Sequence, residues 1–164
     1  MGLAGRGSCE KPFAKAVVAG TFDRLHEGHR ELLTLASRVA NKLLVAVADG
    51  RLLLGKRLRE LIEPFERRRG RVEEFLRQIG AEYEVVRIED PVGPAGGDEE
   101  LEAIVVSEET YPAALSVNRV RRERGLRPLV VVVLPMVLAE DGAPISSSRI
   151  RAGEIDGKGR RLSS

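Results

Sequence analysis

His26 and His29 are the only two histidines of the chain. They stand three residues apart, with Gly28 between them, in the run Gly20-Thr21-Phe22-Asp23-Arg24-Leu25-His26-Glu27-Gly28-His29. Within one helical turn that spacing puts both imidazoles on the same side. At a helix start they would stand where backbone N–H groups and the positive end of the dipole favour an anion. Gly28 leaves room for a ligand to approach the backbone. Two other readings stand beside this one: histidines that only cap or pack, and a zinc pair, which lacks further ligands at supporting spacing. A second run, Gly142-Ala143-Pro144-Ile145-Ser146-Ser147-Ser148-Arg149-Ile150-Arg151, offers three hydroxyls able to cap a helix and two arginines in its first turns. It reads as another anion-binding helix end, with ordinary capping as the alternative.

Both runs need a scaffold that brings them together. Short apolar, β-branched segments at 16–19, 43–48, 83–88, 103–106 and 129–134 read as five strands, mostly buried on both faces. Between them fall helical periods: Leu32, Leu35, Ala36 and Val39, then Val72, Phe75, Leu76 and Ile79. A third helix begins near Pro112 and carries Leu115, Val117 and Val120 inward before Gly125 stops it. Alternating strands and helices imply right-handed crossovers, so we expect an α/β fold. Its form is a single Rossmann-like five-stranded parallel sheet with helices on both faces. Ligands of such sheets bind beyond the carboxyl ends of the strands. Ser107, Glu108 and Thr110 follow the fourth strand there, and Arg119 and Arg121 lie on the next helix. The division expected is an N-terminal segment 1–13, one domain over 14–152, and a C-terminal tail 153–164 that frays unless something docks it. Residues 89–100 read as an exposed connection.

Composition narrows the classes. With 164 residues, 43% apolar and 32% charged, the chain suits one compact domain. Its net charge is +2, with 22 arginines against 5 lysines, a bias toward the side chain that grips carboxylates and phosphates bidentately. The charge is uneven: 51–71 holds eight basic residues against three acidic, and 82–102 eight acidic against one basic. Arg67 to Arg69 read as solvated surface. The lone Cys9 cannot form an internal disulfide, which suits a reducing cytoplasm. No signal peptide is legible, and no apolar stretch approaches the roughly 20 residues of a membrane span. No metal cluster is legible either. Two Asn, one Gln, one Cys and two Met are few thermolabile residues, as in heat-adapted proteins.

The first run resembles the H-x-G-H signature of the nucleotidyltransferase superfamily, and Ile-Ser-Ser-Ser-Arg-Ile-Arg resembles its I-S-S-T-x-I-R partner. Val106-Ser107-Glu108-Glu109-Thr110, followed by Asn118-Arg119-Val120-Arg121, is similar to a segment of phosphopantetheine adenylyltransferases of the archaeal and eukaryotic type. The resemblance covers about residues 14–152. It implies a cytoplasmic enzyme that joins ATP and 4′-phosphopantetheine into dephospho-coenzyme A and pyrophosphate, the penultimate step of coenzyme A synthesis. It implies catalytic roles for His29, Thr21 and Lys56, with Arg57 as the alternative to Lys56. Thr21 would bind the acceptor phosphate, His29 the transferring phosphoryl group, and Lys56 would orient the incoming phosphate, together with Asp49. A solvated charge run is the alternative reading of this loop. ATP would be held by Gly20, Thr21, Phe22, His26, Gly28, His29, Ser107, Glu108, Arg119, Arg121, Ser146, Ser147, Ser148 and Arg149. Mg2+ would enter on the ATP phosphates, with no protein-built metal site, and Asp23 would have a structural role at its turn. No nucleic acid or membrane partner is expected, and the protein would be a monomer or small homo-oligomer.

The residues suit that chemistry. The nucleophile is a phosphate oxygen with a second pKa near 6, so it needs no general base, and no Ser-His-Asp or Cys-His set is present. The reaction needs alignment of two polyanions and neutralisation of charge during in-line displacement. Three rivals are weighed. Cytidylyltransferases share the first run but resemble R-T-x-G-I-S-T-T at the second. Nicotinamide-mononucleotide adenylyltransferases usually begin G-R-F-Q-P. A non-catalytic nucleotide- or RNA-binding module would want stacking aromatics, and only 4% of residues are aromatic.

Overall fold

The computed structural model describes residues 10–162; residues 1–9, Cys9 and most of the expected N-terminal segment among them, and 163–164 lie outside. The five strands are β1 (Phe13–Gly20), β2 (Ala40–Ala48), β3 (Glu82–Ile88), β4 (Ala103–Ser107) and β5 (Val130–Leu134). All neighbours are parallel, in the order β3-β2-β1-β4-β5. Each expected strand is present, lengthened or shifted by a few residues. The chain builds outward from β1 in one direction and then crosses back to continue in the other. That reversal opens a crevice between the carboxyl ends of β1 and β4, where open parallel sheets bind their ligands.

Strand alternation sorts the core into two layers. Ala16, Val18, Leu43, Val45, Val47, Ala103 and Val105 pack against α1 (Glu27–Val39) and α2 (Phe65–Gln78) through Leu32, Leu33, Ala36, Val72 and Leu76. Val17, Leu44, Ala46, Ile104 and Val106 face α3 (Tyr111–Glu123) through Ala114 and Val117. A third small cluster, Ala139, Ile145 and Ile155, supports α4 (Ser147–Arg151).

Three expectations need correction. The buried face of α3 is Ala114, Val117, Asn118 and Arg121, whereas Leu115 is 49% exposed. Polar side chains lie inward there because they complete backbone bonding that water cannot reach. The Asn118 side-chain amide donates to the Leu129 carbonyl at 3.0 Å and accepts from the Leu129 N–H at 2.7 Å. The connection 89–100 is not wholly exposed: a short 3-10 turn at Gly93–Gly96 buries Ala95 and Gly96 against α3. A Cβ at Gly96 would stand 2.5 Å from Val92 and 3.3 Å from Val120. The tail, expected to fray unless docked, is docked: Ile155 is fully buried and the Glu140 N–H donates to the Gly159 carbonyl at 2.9 Å.

Arg68 is not solvated surface either; it is fully buried. It donates to the Ala48 carbonyl at 2.7 Å, Thr21 at 3.0 Å and Glu63 at 2.8 Å, and to Asp49 Oδ1 at 2.8 Å. One guanidinium thus ties the ends of β1 and β2 to the turn before α2. Removing one partner of such a buried pair costs about 3–5 kcal/mol. Arg68→Ala is expected to lower the unfolding free energy by that amount, read as a lower denaturant midpoint with an unchanged m-value, whereas Arg67→Ala, on the solvated side, changes it by less than about 0.5 kcal/mol.

Candidate active site

The loop from β1 into α1 bends through two left-handed residues without glycine, Phe22 (φ 52°) and Arg24 (φ 51°). Such conformations persist only where the surroundings over-determine them. Here the surroundings are Asp23, fully buried, and Phe22, 1% exposed. Asp23 Oδ2 accepts from Arg151 Nη1 at 2.7 Å, and Oδ1 accepts from the Glu63 N–H at 3.0 Å. The Ser147 hydroxyl donates to the Asp23 carbonyl at 2.7 Å. The two runs read from the sequence therefore meet at this loop, and Asp23 has the structural role expected of it.

His26 is the N-cap of α1. Its Nδ1 accepts from the N–H of Gly28 at 3.0 Å and of His29 at 3.4 Å, while His29 Nδ1 accepts from the His26 N–H at 3.2 Å. This reciprocal arrangement fixes both tautomers, because a ring nitrogen that accepts leaves the other as the donor. Each neutral ring then offers Nε2–H. The rings stack with centroids 3.7 Å apart, and Phe22 lies 5.2 Å from His29. Burial, helped by the Arg30 charge, pulls the His26 pKa down from 6.5 to about 4. Burial, with His26 and Arg30 beside it, holds His29 well below the usual histidine value.

The backbone of this helix end is already occupied. The Glu27 N–H donates to the Gly157 carbonyl at 2.9 Å, and the Arg30 N–H to the His26 carbonyl at 3.0 Å. An anion at this helix end would meet the imidazole donors and the helix dipole rather than free N–H groups. Gly28 lines the cleft and is held to glycine by a second constraint as well: a Cβ there would stand 2.9 Å from the His26 ring.

Two clefts meet at the end of β1. The first, about 810 Å³ and open to solvent, is lined by Gly20, Thr21, Phe22, His26, Gly28, His29, Lys56, Ser107, Thr110 and Ser146 to Ser148. Leu32, Leu134, Pro135, Met136, Val137 and Ile145 supply its apolar wall. The second, about 840 Å³, is walled by Val17, Ala46, Ala48, Leu52, Ile88, Val92, Ile104, Val106 and Val117. Ala19, Gly20, Thr21, Lys56 and Thr110 line both. Lys56, rather than Arg57, is the residue at this junction.

Five expected site residues stand elsewhere. Arg121 is 2% exposed and donates to the carbonyls of Ala95, Asp98 and Arg127 at 2.8–2.9 Å. It lies ten residues along α3, about 15 Å from the helix start at the cleft. Arg119 is exposed on the same helix and outside the lining. Asp49 is paired with Arg68 at 2.8 Å and Arg87 at 2.5 Å, and it lines neither cleft. Arg149 turns to Asp141 and Glu154. Glu108 accepts from the Met136 N–H at 3.0 Å, and its neighbour Glu109 lines the cleft instead. Glu109 and Arg151 also line the cleft; both lie within the motif runs but outside the residues expected there. The inward turn of a side chain on the 107–110 loop had no sequence signal. Ser107 and Thr110 close that loop, the Ser107 N–H donating to Thr110 Oγ1 at 3.1 Å. Among the described residues no group of three or more His, Cys, Asp or Glu could hold a metal.

The sequence profile of the cytidylyltransferase-like family matches residues 17–153. A phosphopantetheine adenylyltransferase from Methanothermobacter thermautotrophicus is 46% identical, over 92% of this chain and 90% of its own. Another from Methanopyrus kandleri is 45% identical, over 88% and 92%. Among solved structures, a protein of unknown function from Archaeoglobus fulgidus superimposes with a TM-score of 0.66 at 32% identity, covering 73% of this chain and 88% of that one.

Because the folded chain holds His26 neutral down to about pH 4 while an unfolded histidine takes up its proton near pH 6.5, the contribution of His26 to stability is full above pH 6.5 and is lost between there and about pH 4. His26→Asn, which keeps a capping acceptor, is expected to flatten that slope in denaturant titrations run across this pH range.

Proposed function

The chain belongs to the cytidylyltransferase-like family and, within it, to the phosphopantetheine adenylyltransferases, and from that premise we propose that it transfers the adenylyl group of ATP to 4′-phosphopantetheine. The products are dephospho-coenzyme A and pyrophosphate, in coenzyme A synthesis. The observation that carries this reading is the junction of the two clefts at Thr21 and Lys56. The polar cleft, with its histidine pair and serine turn, suits a nucleoside triphosphate. The apolar cleft suits a long, weakly polar arm. Each would deliver a phosphate to the junction.

The mechanism follows from charge. The acceptor phosphate, dianionic at neutral pH, attacks the α-phosphorus in line, and pyrophosphate leaves. Lys56 and Thr21 align the acceptor against its repulsion by ATP. The Nε2–H of His29 donates to the α-phosphoryl oxygen as charge builds there, and that of His26 to the chain of phosphates. Neutral donors already oriented by backbone N–H groups need no reorganisation in the transition state. Ser146, Ser147 and Ser148 flank the departing pyrophosphate, and Ser107 and Glu109 stand beside the nucleotide. Mg2+ would enter bound to the triphosphate and neutralise part of its charge. Both oxygens of Asp23, the carboxylate buried in the β1–α1 loop, are engaged by the Glu63 N–H and Arg151. Among the described residues no helix is long and apolar enough to cross a membrane, and we place the enzyme in the cytoplasm as a monomer or small homo-oligomer.

A panel of nucleotides and phosphate acceptors, read by pyrophosphate release, should show ATP with 4′-phosphopantetheine far ahead in kcat/KM. A preference for CTP or for another acceptor would overturn the assignment. His29→Ala should lower kcat about 10²-fold or more with a smaller change in ATP Kd, because its bond strengthens in the transition state. Equal losses in rate and binding would instead make His29 a ground-state contact.

A further inference from the structure

Lys56 is exposed at the junction, so the backbone on either side must fix it. On the N-terminal side, Asp49 is clamped by Arg68, and Leu52 and Leu53 pack on the second core layer. On the C-terminal side the anchor is the Arg57 carbonyl, which accepts from Arg151 Nε at 3.2 Å and Nη2 at 3.0 Å. Leu58 follows in a left-handed conformation (φ 55°), which a branched side chain adopts only when its surroundings hold it there. The chain then returns to the Asp23 loop: the Leu61 carbonyl accepts from Arg24 Nη2 at 2.7 Å, and the Glu63 N–H donates to Asp23 Oδ1 at 3.0 Å. Arg151 also reaches Ser148 Oγ at 3.3 Å.

We propose that Arg151 is a positioning residue for Lys56, carrying the fixed place of buried Asp23 to the Arg57 carbonyl and so setting where the Lys56 ammonium stands relative to Thr21 and His29. The planar guanidinium is suited to this, since it bonds a carboxylate on one edge and doubly bonds one carbonyl on another; a lysine cannot make both contacts at once. Arg151 lines the cleft wall, yet all three of its nitrogens are engaged by protein atoms. The inference rests on the proposed reaction, in which Lys56 aligns the acceptor phosphate.

The test is a double-mutant cycle on the full chain, reading kcat/KM for 4′-phosphopantetheine. Arg151→Lys keeps a cation beside Asp23 but loses the fork on Arg57. It is expected to lower kcat/KM by about tenfold or more in the wild-type background, as small misplacements of aligning groups do. In the Lys56→Ala background it should cost less than about twofold. An equal loss in both backgrounds overturns the proposal, and so does an unchanged kcat/KM in the first. Should thermal melts show Arg151→Lys unfolded, the cycle is run with the isosteric Asp23→Asn, and the same outcomes decide. A wild-type chain that fails to turn over 4′-phosphopantetheine with ATP would overturn the functional reading itself, before any variant is compared.

Discussion

The buried ion pair between Asp23 and Arg151 joins residues 128 apart in the chain, and three loops converge on it. Taking two charges out of water costs several kcal/mol each, and their attraction repays this only when the remaining polar atoms are bonded too. That condition is met. The second Asp23 oxygen takes the Glu63 N–H, and the rest of the guanidinium takes the Arg57 carbonyl and the Ser148 hydroxyl. A pair of this kind adds little net stability against an apolar substitute, but it admits only one arrangement of its partners. The loop before α1, the turn into α4 and the segment carrying Lys56 are therefore held in a single mutual geometry.

Around that pin, the polar cleft is lined mostly by neutral groups. Two uncharged imidazoles, three serines and Thr21 line the polar cleft, with Lys56 at its mouth. Burial keeps the histidines unprotonated, so their N–H groups act as fixed dipoles rather than counter-ions. A wholly cationic site would hold the ground-state triphosphate tightly and gain less in the transition state, where differential stabilisation sets the rate. Several arginines instead hold the scaffold: Arg68 at the ends of β1 and β2, Arg121 from α3 to the Ala95 and Asp98 carbonyls, and Arg149 against Asp141 and Glu154.

Much of this was legible along the chain. Five apolar segments became five parallel strands; the three central ones are buried on both faces, as a continuous apolar run predicts, whereas the edge strands β3 and β5 are only partly buried. The His26-His29 and Ser146-Ser148 runs both line one cleft, because strand-helix alternation places the ends of β1 and β5 on the same edge of the sheet. The inward face of α3 was harder to read. It is marked by Asn118 and Arg121, which hydrophobic periodicity counts as solvent-facing.

What the sequence by itself determined was thus periodic or local: strand and helix order, the capping turn at His26, and the two motif runs. The tertiary structure alone decided the destination of each long polar side chain. Arg68, Arg121 and Arg151 look the same as Arg67, Arg119 and Arg149 in a string of residues. A guanidinium is buried only where several carbonyls or a carboxylate from distant segments meet its fork, and chain order alone does not specify that convergence. The same reason separates Asp23 from Asp49: both follow strands and both lie near the cleft. Arg151 draws Asp23 into the joint that unites the two motifs, while Arg68 and Arg87 hold Asp49 away from the ligand side.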